Sequence, residues 1–209
     1  IPFIIMGVLL ILAALPILRL KGHEPKDSQT RSASPLILIK KAPTVASACI
    51  VVGSVDLALI SLLPAMITRT PEAAPILALI IVPAMAIGAT ILQYPIAIIA
   101  DKHGLRKVGV ITVCAGLIFA SLIPFFLGSV LLTLLFGFFA AGLVYALYSI
   151  GLAMLSRRFS GADIVAANAG FVILFELSNL MGPWLAGFLL DINMRYGLPI
   201  FTCAIGIFY

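Results

Sequence analysis

The sequence predicts an all-α, polytopic transmembrane helical bundle, and three observations carry that prediction. Hydrophobic residues make up 63% of the 209-residue chain and charged residues only 10%, with a mean hydropathy of +1.24. A soluble domain carries about 25% charged residues, and its core would not hide this much apolar surface, so lipid is the expected solvent. The apolar residues also fall into seven long runs. Finally, the cations behind the net charge of +5 sit in the short gaps between those runs. That pattern belongs to membrane topology rather than to a continuous nucleic-acid-binding face.

Taken in order, the apolar runs cover residues 1–18, 44–67, 75–100, 108–127, 130–156, 164–190 and 198–209. The five interior runs hold about 20 to 27 residues, or roughly 30 to 40 Å as helix, enough to span a bilayer with some tilt. The outer two are cut short by the ends of the sequence. Residue 1 is Ile, no basic segment precedes the first run, and Tyr209 interrupts the last. We therefore expect no signal peptide and read the chain as a piece of a longer protein. The stretch 19–43, with its Lys, Ser, Thr and Pro, is the one long polar connection.

Charge sets the orientation. If the gap at Asp101 is cytoplasmic, that side also holds Arg19, Lys21, Lys26, Arg31, Lys40, Lys41, Lys102, Arg106, Lys107, Arg157 and Arg158. The opposite side holds Arg69 and Arg195 alone. Such asymmetry predicts cytoplasmic segments at 19–43, 101–107 and 157–163.

Pro64, Pro83, Pro95, Pro124 and Pro183 fall inside the runs, where neighbouring helices can re-satisfy freed carbonyls. Small residues four apart, at Ala84/Gly88, Gly137/Ala141 and Ala166/Gly170, predict close helix contacts. Cys49, Cys114 and Cys203 lie in apolar runs without metal-ligand spacing and are expected as small buried hydrophobes. His23 and His103 have no second ligand near them in sequence, so neither a metal nor another cofactor is expected.

Two acids interrupt the runs. Asp56 and Glu176 each fall twelve residues past the cytoplasmic start of their helix, about 18 Å in. Both are thus expected near the bilayer midplane, the depth at which secondary transporters hold substrate and coupling ions. A charge there costs at least about 2.5–3.5 kcal/mol, so each acid must be protonated, paired or hydrated. Glu176 shares a helix face with Asn168 and Asn179, and it is the first choice for a proton carrier, with Asp56 the alternative. Tyr145, Tyr148 and Ser149 occupy one face of their helix. Gln93 and Thr90 share a small-residue face with Ala86 and Ala97, which suits helix contact as well as substrate contact.

The segment Ala100–Lys107 then carries a resemblance. Ile99, Ala100, Asp101, Lys102, Gly104, Arg106 and Lys107 match the loop signature of the major facilitator superfamily, roughly G-x-L-a-D-[RK]-x-G-[RK]-[RK]. Ala97 and Leu105 depart from it at a glycine and a basic position, and Gln93-Tyr94-Pro95 resembles what precedes this loop in many bacterial members. The resemblance covers essentially the whole chain. It implies the C-terminal half of such a transporter, with residues 1–18 ending helix six, 19–43 linking the halves and 44–209 forming helices seven to twelve. It also implies that helices seven and ten line a central cavity, making Tyr145, Tyr148 and Ser149 candidate lining residues. Asp101, Lys102, Gly104, Arg106 and Lys107, with Arg157 and Arg158, would form a cytoplasmic latch. Gly182-Pro183 followed by Gly187 resembles a helix-five motif of exporters, here in the pseudo-repeat counterpart, helix eleven.

The function expected is secondary transport of a small solute by alternating access in the cell's inner or plasma membrane, coupled to protons. The partners are the substrate, the bilayer and an N-terminal six-helix half. The alternative is a non-transporting scaffold or receptor on the same fold. An enzyme is not expected, because no nucleophile–base pair, metal cluster or phosphate loop appears in any gap.

Overall fold

The structure is a computed structural model that describes residues 35–207 and 209, all of which fall in one unit, 31–209. The expected end of helix six and the linker up to residue 34 lie outside the described residues. What is described is helical throughout: α1 Pro35–Lys41, α2 Pro43–Arg69, α3 Ile76–His103, α4 Leu105–Leu122, α5 Val130–Arg158, α6 Ala162–Ile192 and α7 Gly197–Gly206, with a 3-10 turn at Ile123–Phe125. Five of these are long and apolar enough to cross a membrane: α2, α3, α4 with its 3-10 turn, α5 and α6. They coincide with the five interior runs of the sequence. Each is apolar around most of its circumference, as expected of helices facing either neighbours or lipid.

Local chemistry sets the boundaries. Pro43 occupies the first turn of α2, where its missing N–H costs nothing. Gly104, at φ 99°, separates α3 from α4 by a single residue, and its N–H closes α3 on the Ala100 carbonyl at 2.9 Å. A side chain at that φ would strain the backbone, so glycine is what lets the chain reverse so sharply. Pro64, Pro83, Pro95 and Pro183 lie inside helices. Pro124 does not. It falls within the third span, Leu105–Phe125, as expected, but in the 3-10 turn that ends α4, because proline removes a hydrogen bond and clashes with the turn before it.

The most extensive interfaces pair α3 with α5, α2 with α6 and α4 with α5, while α7 rests on α4 and α6. Helix α2 is the most enclosed, with Val51, Val52, Val55 and Ala58 fully buried. Between helices in lipid there is no hydrophobic driving force, so contact depends on close backbone approach. Two crossings supply it. Gly88 of α3 meets the Phe138 backbone of α5, and a Cβ on Gly142 would lie 2.6 Å from the Gly88 carbonyl oxygen. At the second, Gly182 of α6 meets the Ser54 backbone of α2, and a Cβ on Gly53 would lie 2.6 Å from the Phe175 carbonyl oxygen. The glycine of Gly182-Pro183 therefore has a packing account of its own.

Within the polar stretch ahead of α2, residues 35–41 form a docked helix rather than an extended strand of linker. Leu38 is fully buried and joins Val45, Cys49, Leu155 and Phe171 in a second apolar cluster. Cys49 is buried there, as expected, with Sγ 3.5 Å from the Phe171 carbonyl oxygen. Cys114 and Cys203 are instead exposed on the outer surface. In a bilayer that surface is itself apolar, so a small hydrophobe gains nothing by facing inward.

Candidate functional site

Asp56 lies midway along the 27-residue α2. Its carboxylate reaches a cavity of about 350 Å³ between α2, α3 and α5, which Gln93 and Tyr145 also line. The rest of the wall is Thr90 and the apolar side chains of Ile60, Val82, Met85, Ala86, Ala89 and Ala141. Among the described residues, Asp56 makes no hydrogen bond or salt bridge. The Gln93 amide donates to the Ser149 hydroxyl, tying α3 to α5 at the cavity's edge. Thr90 donates back to the Ala86 carbonyl at 2.9 Å. The sequence thus singled out the cavity's polar groups and, of its apolar wall, Ala86 and Ala141 as small contact residues, but not Ile60, Val82, Met85 or Ala89.

Tyr145 stacks on Tyr148 with ring centroids 5.8 Å apart. Tyr148 in turn meets Phe171 and Phe175 of α6 edge-on, at 5.2 and 5.1 Å. Tyr148 is therefore not part of the cavity wall but the link from that wall to α6. Glu176 stands apart from Asp56: it is exposed on α6 and accepts a 3.4 Å hydrogen bond from the Asn179 amide. The Asn179 carbonyl oxygen is buried without a partner among the described residues. Asn168, on the same helix, is exposed and joins neither. Of the two mid-helix acids, Asp56 is the one that lines this cavity.

At one end of the bundle, the Arg157 guanidinium donates to the Asp101 carboxylate at 3.0 Å, joining α5 to α3. Both side chains are about 60% exposed. Lys102 and Lys107 are exposed beside them, and Arg106, Arg157 and Arg158 surround a cavity of about 400 Å³ with Thr44 and Val45 at the start of α2. The loop signature and the end of α5 therefore share one face, as the charge pattern requires. At the other end, Arg69 stands 4.0 Å from Asp191, joining α2 to α6, and Arg195 lies 5.3 Å over the Phe125 ring. The sequence reading took Arg69 and Arg195 only as topology markers. Their partners gave no separate signal: Phe125 lies just inside the end of one apolar run, and Asp191 just past the end of another.

A bundle of five membrane-length apolar helices, with its basic residues at the two ends, defines an integral, multi-pass membrane protein. Residues 45–209 match the Major Facilitator Superfamily, and the chain belongs to that family, whose business is transport rather than enzymatic catalysis. The chain is also similar to YfkF, an uncharacterised MFS-type transporter of Bacillus subtilis (strain 168), with 30% identity over 116 residues. That match covers 52% of this chain and 27% of the relative's length.

Proposed function

We propose that the protein containing this chain is a secondary active transporter of the cell membrane that moves a small solute by alternating access. The observation that carries the reading is the mid-helix carboxylate of Asp56, open to a cavity between three packed helices. An acid within a membrane span is costly to keep, which makes it a functional residue by default, and transporters hold solutes and coupling ions near the midplane. In this reading residues 44–209 supply helices seven to twelve, residues 1–18 end helix six, 19–43 link the halves, and an N-terminal half closes the cavity. Asp56 contributes to the solute path. Glu176, on the exposed polar patch of α6 with Asn179, takes up and releases the coupling proton. The end with Asp101 and Arg157 is cytoplasmic and holds one conformation together.

The test is solute flux in proteoliposomes of the full-length protein, with and without an imposed pH gradient. Glu176→Gln fixes the neutral state at nearly constant size. Proton-driven accumulation should vanish while exchange down a solute gradient persists. Wild-type accumulation by this variant would remove Glu176 from coupling and pass the question to Asp56→Asn.

A further inference from the structure

We propose that the Asp56 cavity takes a monovalent organic cation with an apolar body, its charge seated on the carboxylate. This rests on the transport reading only in treating the cavity as a solute site. Asp56 is the one charged side chain among the described lining residues, which include no lysine or arginine to hold an anion. The neutral polar groups do not offset that charge. Gln93 directs one amide N–H onto Ser149, and Thr90 spends its hydroxyl on the Ala86 carbonyl. The Gln93 carbonyl and the Tyr145 oxygen add acceptors beside the carboxylate, and the second Gln93 N–H and the Tyr145 hydroxyl can still donate. The one fixed charge of the lining is negative, so it repels anions.

A cation meets the opposite conditions. Its charge finds an unpaired carboxylate in a low-dielectric setting, where opposite charges attract far more strongly than in water. Tyr145, backed by Tyr148, adds an aromatic ring to the lining, and such rings attract positive charge. Its apolar body meets Ile60, Val82 and Met85. The volume of about 350 Å³ suits a single-ring compound, at the lower end of small-molecule sites.

The test uses the full-length protein in nanodiscs and three single-ring probes: phenyltrimethylammonium, benzenesulfonate and neutral benzyl alcohol. Isothermal titration should find binding of phenyltrimethylammonium to the wild type, weakened about thirtyfold or more by Asp56→Asn. Asp56→Glu, which keeps the charge, should restore most of it, and unchanged thermal unfolding of Asp56→Asn would exclude misfolding as the cause. Equal affinity for the cation in wild type and Asp56→Asn would overturn the proposal. So would equally tight benzenesulfonate or benzyl alcohol, or the absence of any Asp56-dependent cation binding. Labelling of single cysteines at Lys102 and Arg69 separates this from the wider reading. Reciprocal changes in their accessibility keep alternating access even where cation binding fails, whereas accessibilities that never change under any gradient remove alternating access itself.

Discussion

The Asp101–Arg157 pair sets a bound on how much one latch can do. The two groups meet at 3.0 Å with both side chains about 60% exposed, so solvent screens them. Exposed pairs of this kind are worth about 0.2–1 kcal/mol. With RT near 0.59 kcal/mol, losing the pair shifts a two-state equilibrium by a factor between about 1.4 and 5. Asp101→Asn, which keeps the shape of the side chain, should therefore slow turnover by no more than about fivefold if Arg157 is its partner in the mechanism. Arg157→Gln should cost about as much, and the double variant should be no slower than the worse single. Exchanging the two charges should recover part of the loss, and the wild-type advantage should fall with salt, whose screening length drops from about 10 Å at 0.1 M to about 3 Å at 1 M. The assay is initial rate of solute exchange in proteoliposomes, normalised to inserted protein. A hundredfold loss in Asp101→Asn that Arg157→Gln does not share would refute the reasoning. Asp101 would then act through a different partner.

Three further outcomes follow from the geometry. Gly88→Ala or Gly182→Ala places a Cβ against a neighbouring helix backbone and should destabilise the purified protein by about 1–3 kcal/mol; Gly187→Ala, whose nearest neighbour would be a Leu62 methyl at 3.9 Å, should leave thermal unfolding unchanged. Gln93→Leu removes the bond to Ser149 and should cost about 0.6 kcal/mol, at most about 1.7, with Ser149→Ala adding little in the double variant; additive losses in unfolding measurements would show that the two groups do not depend on each other. Single cysteines at Lys102 and Arg157 should be labelled from the cytoplasmic side and one at Arg69 only from the other, because the Asp101–Arg157 contact puts the first two at one end; outside labelling of Lys102→Cys in intact cells would invert the topology.

The number and limits of the helices were legible because each span is a long apolar run, and nothing in a bilayer competes with helix for its backbone. The turn at Gly104 was legible for the same local reason: one residue type suits a positive φ. Rotation about each helix axis was not. Asp56 and Glu176 both lie mid-helix in runs that are apolar all round, so no hydrophobic stripe told which acid faces the cavity. Small residues gave half of the packing in the same way. Gly88 and Gly137 stood out by spacing, but nothing local to Gly53 or Gly182 names the other as its neighbour across the bundle. Pro124 lies inside a span as its apolar run implied, but nothing local told that it would close the α-helix in a 3-10 turn, whereas Pro83 and Pro95, deeper in α3, are absorbed by it.

Two helix pairs now stand out. Helices α3 and α5 share the Gly88–Phe138 crossing, the Gln93–Ser149 hydrogen bond and, at one end, the Asp101–Arg157 ion pair. Helices α2 and α6 share the Gly53 and Gly182 crossing and, at the other end, the approach of Arg69 to Asp191. Each pair is held by backbone contact over its middle and by charge at one end, so each resists internal sliding. The cavity lies on the seam between them, with Asp56 from one pair facing Gln93 and Tyr145 from the other. The seam itself is bridged by side chains, among them the Tyr148 contacts with Phe171 and Phe175. Ring contacts of this kind are each worth about 0.5–1.5 kcal/mol and tolerate small shifts in offset, whereas a glycine crossing built on backbone contact does not. Any motion within the described bundle that changes the volume around Asp56 is therefore cheapest along this seam. A solute held between Asp56 and Tyr145 would grip both pairs at once.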